Sequence, residues 1–254
     1  MTILNGQRAL VTGAARGLGL AMSERFAAEG ARVLIQDLDL AEAEKSAAAL
    51  RAKGRDALAM GGSVTSESDM QACFARLDRE WGGLDILVNN AGVSANKSAL
   101  ELPLGDWNRV MDVNLNAPFM WAKEAGKRFV AQKSGNLVNI CSIWGIDAAP
   151  DRIAYCVSKA ALIQVTKCLA NEWAASNVRV NAIAPGYTET KMLREVIDAG
   201  RVDVQSLHRR TPMGRLGTPE EIADMALYIV SPGASFLTGQ VIAVDGGWTA
   251  YGFY

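Results

Sequence analysis

The chain has 254 residues, half of them apolar and 21% charged, with a net charge of −1. This is the profile of a folded globular protein of one large domain or two small ones, with no basic stripe for nucleic acid and no apolar run of membrane-spanning length. Four cysteines without metal-ligand or redox spacing and a single histidine, His208, argue against a metal centre and a Ser-His-Asp triad. The N-terminal residues lack the pattern of a secretory leader, so the expected residence is cytoplasmic.

In chain order, Arg8 to Thr12 reads as a short strand that runs into Gly13, Gly17 and Gly19 and then a helical pattern to about Glu29. Strand, glycine-rich turn and helix is the context in which backbone N–H groups and a helix N-terminus cradle a pyrophosphate. The spacing is G-x-x-x-G-x-G, which departs from the general G-x-G-x-x-G fingerprint. Arg32 to Asp37 is the second strand, and it ends in an acid 24 residues after Gly13. A carboxylate there accepts both hydroxyls of an adenosine ribose and repels a 2′-phosphate. The structural alternative for Asp37 is an N-cap for the helix expected from Leu38 to Lys53.

Asp56 to Met60 is a weak third strand, followed by a capping-box-like start at Ser66 and a helix to about Trp81. Leu84 to Val88 is the fourth strand, closed by Asn89, Asn90, Ala91 and Gly92, where amide side chains can fasten strand ends. Asp106 to Val130 reads as one helix with Asn114 in its interior. Asn competes there for backbone hydrogen bonds, so it violates local preference, and such violations tend to mark strain or function. The alternative is an Asn that merely faces solvent.

The apolar run Leu137 to Cys141 reads as a buried strand that delivers Ser142 to its carboxyl end. Thirteen residues on, Tyr155 and Lys159 open an apolar-periodic helix to about Trp173, and their spacing of four sets them on one face. A free Tyr titrates near ~10, so holding its anion near neutrality needs roughly 4 kcal/mol. An adjacent ammonium and a cationic ring such as oxidised nicotinamide can supply that. An ordinary half-exposed helical pair is the bland alternative. Val178 to Ala184 is the sixth strand, ending in Pro185 and Gly186. Lys191 to Arg210 is a polar helical stretch expected to act as a mobile lid within about 188–212. Thr218, Pro219 and Glu221 form a strong helix start, and Gln240 to Val244 is a last strand.

Strands alternating with long helices imply an α/β chain, a Rossmann-type doubly wound parallel sheet of about seven strands with helices on both faces. One domain is expected over 1–254. In such sheets the carboxyl ends of the strands line the ligand crevice. Gly13 to Gly19, Asp37, Asn90 to Gly92, Ser142 and Pro185 to Thr190 all fall at such ends.

Thr12 with the three glycines, Asn89 to Gly92, Asn114, Ser142, Tyr155 with Lys159, Pro185-Gly186 and Val244 to Gly247 together resemble the single-domain short-chain dehydrogenase/reductase family, along the whole chain. The resemblance implies Tyr155 as acid/base and Lys159 as the residue that holds the nicotinamide ribose and depresses the Tyr pKa. It implies Ser142 on the substrate oxygen and Asn114 anchoring a proton-relay water. It also implies a dinucleotide on Gly13, Arg16, Gly17, Leu18, Gly19, Asp37, Ser63, Val64, Asn90, Ala91, Gly92, Pro185 and Gly186, with Thr188 and Thr190 at the carboxamide. The family is usually tetrameric, so a homotetramer is expected.

Two departures bear on the cofactor. Ser63 and Val64 stand where the family commonly carries an acid near the adenine. Arg16 stands where members using NADP often carry a base, whereas Asp37 favours NAD, so NAD is expected. Ser94, Asn96, Trp144, Asp147 and Tyr187, with Ser142 and Tyr155, are expected around a polar substrate pocket. The resulting expectation is an NAD-dependent dehydrogenase of a sugar, polyol or similar small alcohol. An NADPH-dependent 3-oxoacyl-thioester reductase and a catalytically silent NAD-sensing protein are the alternatives. The aromatic tail from Trp248 onward is expected to be ordered, within its own subunit or across a boundary.

Overall fold

The computed structural model describes residues 2–198 and 203–252. Its centre is one seven-stranded, all-parallel sheet in the order β3-β2-β1-β4-β5-β6-β7. The strands are β1 (Arg8–Thr12), β2 (Arg32–Asp37), β3 (Ala57–Gly61), β4 (Ile86–Asn89), β5 (Gly135–Ile140), β6 (Val178–Pro185) and β7 (Val241–Val244). The strand order reverses between β1 and β4, and such a switch opens a crevice at the carboxyl edge of the sheet.

Alternate strand residues feed two cores, as the period of two requires. Leu34, Leu10, Leu87, Leu137 and Val180 lie level across five strands. They pack with Phe74 and Leu77 of α3 (Glu67–Trp81), Trp121 and Phe129 of α5 (Ala117–Gln132), and Leu169 of α6 (Ile153–Trp173). The neighbouring row of Ile35, Val11, Val88 and Val138 faces the opposite layer. There it meets Phe26 of α1 (Gly17–Ala28), Leu50 of α2 (Leu40–Ala52) and Ile222 of α9 (Pro219–Val230).

One position further toward the carboxyl edge the buried row turns polar: Gln36, Thr12, Asn89 and Asn139 are all at most 3% exposed. The Asn89 amide donates to Asn139 Oδ1 at 2.9 Å and to the Pro118 carbonyl. Asn139 in turn donates to Thr166 Oγ1 at 2.9 Å, which ties β5 to α6. Buried polar groups persist when hydrogen-bonded, and this row fixes the strand ends from which the site is built.

Three features differ from the sequence reading. The expected helix of Asp106 to Val130 is α4 (Leu104–Met111), a π-helical turn at Asp112–Asn116 and then α5. Helix α2 begins at Leu40 with Asp39, not Asp37, as its cap. And one helix, Ile153–Ser176, is long and apolar enough to cross a membrane by length and composition. It packs on β6 and buries Ser158, Lys159 and Thr166, the mark of a core helix. The expected lid covers α7 (Lys191–Asp198) and α8 (Val204–Arg210), while residues 199–202 lie outside the described residues.

Candidate active site

The glycine-rich turn joins β1 to α1. Its first helical N–H groups receive no side-chain cap and no acid stands in the first turn, which leaves donors and a positive helix end facing outward. A Cβ on Gly19 would lie 2.6 Å from both Asn90 Nδ2 and the Gly13 carbonyl, so only glycine lets the turn close against β4. Gly17 has φ +59, and a Cβ there would meet only Thr190 Cγ2, at 3.9 Å. The open side of the loop therefore faces Thr190. Asn90 Nδ2 donates to the Thr12 and Gly13 carbonyls at 2.9 Å each, and Thr12 Oγ1 accepts from the Asn90 and Ala91 amides. The side chains at the end of β4 thus fasten strand to loop, as the sequence implies.

Asp37 closes the other side. Its Oδ2 accepts from the Ala15 amide at 3.0 Å and its Oδ1 from the Asp39 amide at 3.1 Å. Each oxygen keeps a further lone pair. The N-cap alternative falls, because Asp39 accepts from Glu42 N at the start of α2. Arg16 donates to Asp39 Oδ2 at 2.8 Å, a pairing absent from the sequence reading. At the β3 end, the Ser63 amide donates to Asp69 Oδ2 at 2.9 Å and its hydroxyl pairs with Thr65. The Val64 carbonyl accepts from Trp121 Nε1. Asp69 of α3 thus fastens the loop after β3. An open glycine cradle, uncapped helical donors and a carboxylate with free lone pairs fit a dinucleotide.

Lys159 is buried, and its Nζ donates to the Ile140 carbonyl at 2.8 Å and lies 5.8 Å from the Tyr155 ring centre. A Cβ on Gly92 would come within 3.5 Å of that Nζ, so Gly92 leaves room directly over the ammonium. Asn114 is fully buried at the π turn. Its Oδ1 accepts from the Val93 amide at 2.8 Å, and its Nδ2 donates to the Val93 carbonyl and to Ser158 Oγ. The solvent-facing alternative is excluded. A π turn shifts the backbone ladder by one residue and recurs at functional sites.

Burial pushes the Tyr155 phenol up, against the Ser142 hydroxyl and the positive charge of Arg152, which draw it down. Burial likewise lowers Lys159. Arg152 is a cation that favours the phenolate.

On the substrate side, Trp144 and Tyr187 come together, with ring centres 6.3 Å apart. Ser142 caps the turn that carries Trp144, accepting from its amide at 3.1 Å. Ser94 and Asn96 pair with each other at 2.7 Å on an exposed loop, and Asp147 is exposed. Pro185 ends β6, and Gly186 donates to the Val244 carbonyl at 2.9 Å. Thr188 bridges to Gly217, and Thr190 Oγ1 accepts from Leu193 N at the start of α7. Trp248 was not foreseen here. It is buried, edge-on to Trp144 at 5.8 Å and tilted against Tyr187 at 5.2 Å, under Arg210 at 4.8 Å. Leu18 packs on the core layer of Phe26, Leu50 and Ile222.

A family model described as enoyl-(acyl carrier protein) reductase matches residues 13–249. Galactitol 2-dehydrogenase of Rhizobium johnstonii is 40% identical over 98% of this chain and 97% of its own length. NAD-dependent glycerol dehydrogenase of Listeria innocua is 38% identical, over 95% and 93% respectively. The 3-oxoacyl-[acyl-carrier-protein] reductase FabG of Aquifex aeolicus is 37% identical, over 96% and 98%. A solved structure described as a candidate gluconate dehydrogenase from Agrobacterium tumefaciens superposes with a TM-score of 0.94 at 40% identity, covering 99% of this chain and 100% of that one. The fold, the strand-end site and these matches make the chain a member of the short-chain dehydrogenase/reductase family, an NAD(P)-dependent oxidoreductase.

Proposed function

We propose that this protein is an NAD-dependent dehydrogenase that oxidises a secondary alcohol of a sugar, polyol or similar small polar molecule. The observation that carries the reading is the buried Lys159 ammonium beside Tyr155 at the same sheet edge as the glycine cradle and Asp37. Tyr155 acts as general base, taking the hydroxyl proton of the substrate, and Ser142 donates a hydrogen bond that fixes the same oxygen. NAD, when bound, would supply the acceptor for the hydride that leaves the carbinol carbon as its hydroxyl loses the proton. Lys159 keeps two N–H donors beyond its bond to Ile140, which suits the nicotinamide ribose. Asn114 spends its side chain on Val93 and Ser158, so a relay water would use its main-chain carbonyl or the remaining lone pair on Oδ1.

The dinucleotide is held by Gly13, Arg16, Gly17, Leu18 and Gly19 at the pyrophosphate and by Asp37 at the adenosine ribose. Ser63 and Val64 serve the adenine, Asn90 to Gly92 the middle, and Pro185, Gly186, Thr188 and Thr190 the carboxamide. Ser94, Asn96, Trp144, Asp147 and Tyr187 bound the substrate. Support for a polar substrate comes from the galactitol and glycerol dehydrogenases. Support for NAD comes from Asp37 and from the NAD-dependent glycerol enzyme. A second reading, an NADPH-dependent 3-oxoacyl-thioester reductase, is favoured by the FabG likeness. NADP bound to a gluconate 5-dehydrogenase candidate from Beutenbergia cavernae, 35% identical with a TM-score of 0.91, also bears on the cofactor. Screening polyols, sugars and 3-oxoacyl thioesters with both dinucleotides, read by nicotinamide absorbance, separates the two: turnover only of thioesters with NADPH overturns the first.

Self-association, as a homotetramer residing in the cytoplasm, belongs to the same proposal. Exposed Leu104, Phe119, Ile153 and Val157 on α4 to α6, and Tyr228 and Phe236 beside α9, support it, since large exposed apolar groups mark interaction surfaces. Light scattering on purified protein tests it, and a monomeric mass overturns it.

A further inference from the structure

Two carboxylates and one guanidinium meet where β2 turns into α2. Asp37 Oδ2 accepts from the Ala15 amide at 3.0 Å, and Asp37 Oδ1 accepts from the Asp39 amide at 3.1 Å. Asp39 Oδ1 caps α2 by accepting from Glu42 N at 3.1 Å, and its Oδ2 takes Arg16 Nη2 at 2.8 Å. The glycine loop is thereby strapped to the β2–α2 turn twice, once through the backbone of Ala15 and once through the side chain of Arg16. Arg16 carries the only cationic side chain between Gly13 and Gly19.

We propose that Asp39 is a specificity-determining residue, which pairs with Arg16 and so denies a 2′-phosphate the one guanidinium placed to receive it. The inference rests on the dinucleotide reading above and deepens it, since Asp37 alone explains only repulsion at the ribose. A 2′-phosphate at this corner would face two carboxylates with the neighbouring cation already paired, and charge opposition of this kind is a common source of specificity. The helix cap holds the Asp39 carboxylate in place through its other oxygen. The Arg16–Asp39 pair is half exposed on both sides, so it is readily exchanged. It therefore discriminates by fold-factors and not absolutely.

Asp39→Asn removes the charge and keeps an oxygen for the cap. NADPH affinity, read by nicotinamide fluorescence without any alcohol substrate, should then rise about three- to tenfold, with NADH affinity changed less than about twofold. Arg16→Gln in the native background should weaken both dinucleotides alike and leave the ratio of NADPH to NADH affinity within about twofold, and the double variant should lose the gain in that ratio given by Asp39→Asn. A gain that persists undiminished in the double variant overturns the inference, because Asp39 would then act through its own charge alone. No gain at all in Asp39→Asn overturns it too, while the dehydrogenase reading stands on NADH binding. Native protein that binds neither dinucleotide overturns both.

Discussion

At the scale of single residues the site turns on a conflict between burial and charge. Burial pushes the Tyr155 phenol up and draws the Lys159 ammonium down. Tyr155→Phe removes the proton acceptor and should cost about two to four decades of kcat, the usual worth of a positioned acid/base, with folding and dinucleotide affinity retained. Near-native turnover in that variant would remove Tyr155 from the chemistry. The pH dependence follows from the direction of the shift. Alcohol oxidation needs the phenolate, and a raised phenol pKa makes that form scarce near neutrality, so kcat/KM for oxidation should climb toward alkaline pH. Carbonyl reduction needs the phenol and should hold through neutral pH before falling. Arg152 draws the phenol down, so Arg152→Gln should move the oxidation profile further toward alkaline pH. Superimposable profiles would show that Arg152 does not act on Tyr155. Little of this balance was legible beforehand. The pairing of Tyr155 with Lys159 follows from a spacing of four, whereas the burial of Lys159 and the half-burial of Tyr155 depend on packing that spacing does not encode.

At the scale of elements, the alternation of strand and helix and the residues at the strand ends were legible because period and turn chemistry are local. Asn89 and Asn90 fasten strand ends as their position implies. The π turn was not legible, since it is a one-residue slip in backbone pairing, and the sequence shows only a misplaced Asn114. Asp37 and Asp39 stand two apart, and which one caps α2 depends on where the helix starts, the least local part of the pattern. Helix α9 is the cleanest case of a legible start. Thr218 Oγ1 accepts from the Glu221 amide while Glu221 Oε2 accepts from the Thr218 amide at 2.8 Å, a complete capping box. Thr218→Ala should cost about 1 kcal/mol, roughly 2–4 °C in Tm for a chain of this size. Arg215 first, and then the Thr218 amide, hold Glu221 down to about 2 from 4.5. A depressed carboxylate contributes stability that is complete above pH 4.5 and lost as pH falls toward about 2. The Tm gap between the native protein and Glu221→Gln should therefore be full at neutral pH and narrow below pH 4.5. A gap that does not change with pH would show that the charge of Glu221 plays no part.

At the scale of the whole molecule, the tail links parts of the chain that are far apart in sequence. Asp245 accepts from the Gly247 and Thr249 amides and from Thr249 Oγ1, which turns the chain sharply after β7. That turn drops Trp248 among Ile143, Leu207 and Leu216, against Trp144 and Tyr187. Arg210, at the end of α8, donates to the Trp248 carbonyl at 3.1 Å and stacks over Trp248 and Tyr251. The aromatic composition of the tail showed that it needs a partner, and only the fold could show that Trp248 finds one within its own chain. Phe253 and Tyr254 lie outside the described residues. Trp248→Ala should remove a buried aromatic worth about 3–5 kcal/mol, lowering Tm by on the order of 10 °C. It should also raise KM for the alcohol more than it lowers kcat, because Trp144 and Tyr187 lose the ring that positions them while Tyr155 and Lys159 are untouched. Tyr251→Ala, which strips one face from Arg210, should lower Tm by a smaller amount. In both variants the mass by light scattering should equal that of the native protein. A drop in mass with either substitution would instead place the tail at a boundary between subunits, and an unchanged KM in Trp248→Ala would remove the aromatic cluster from the substrate pocket.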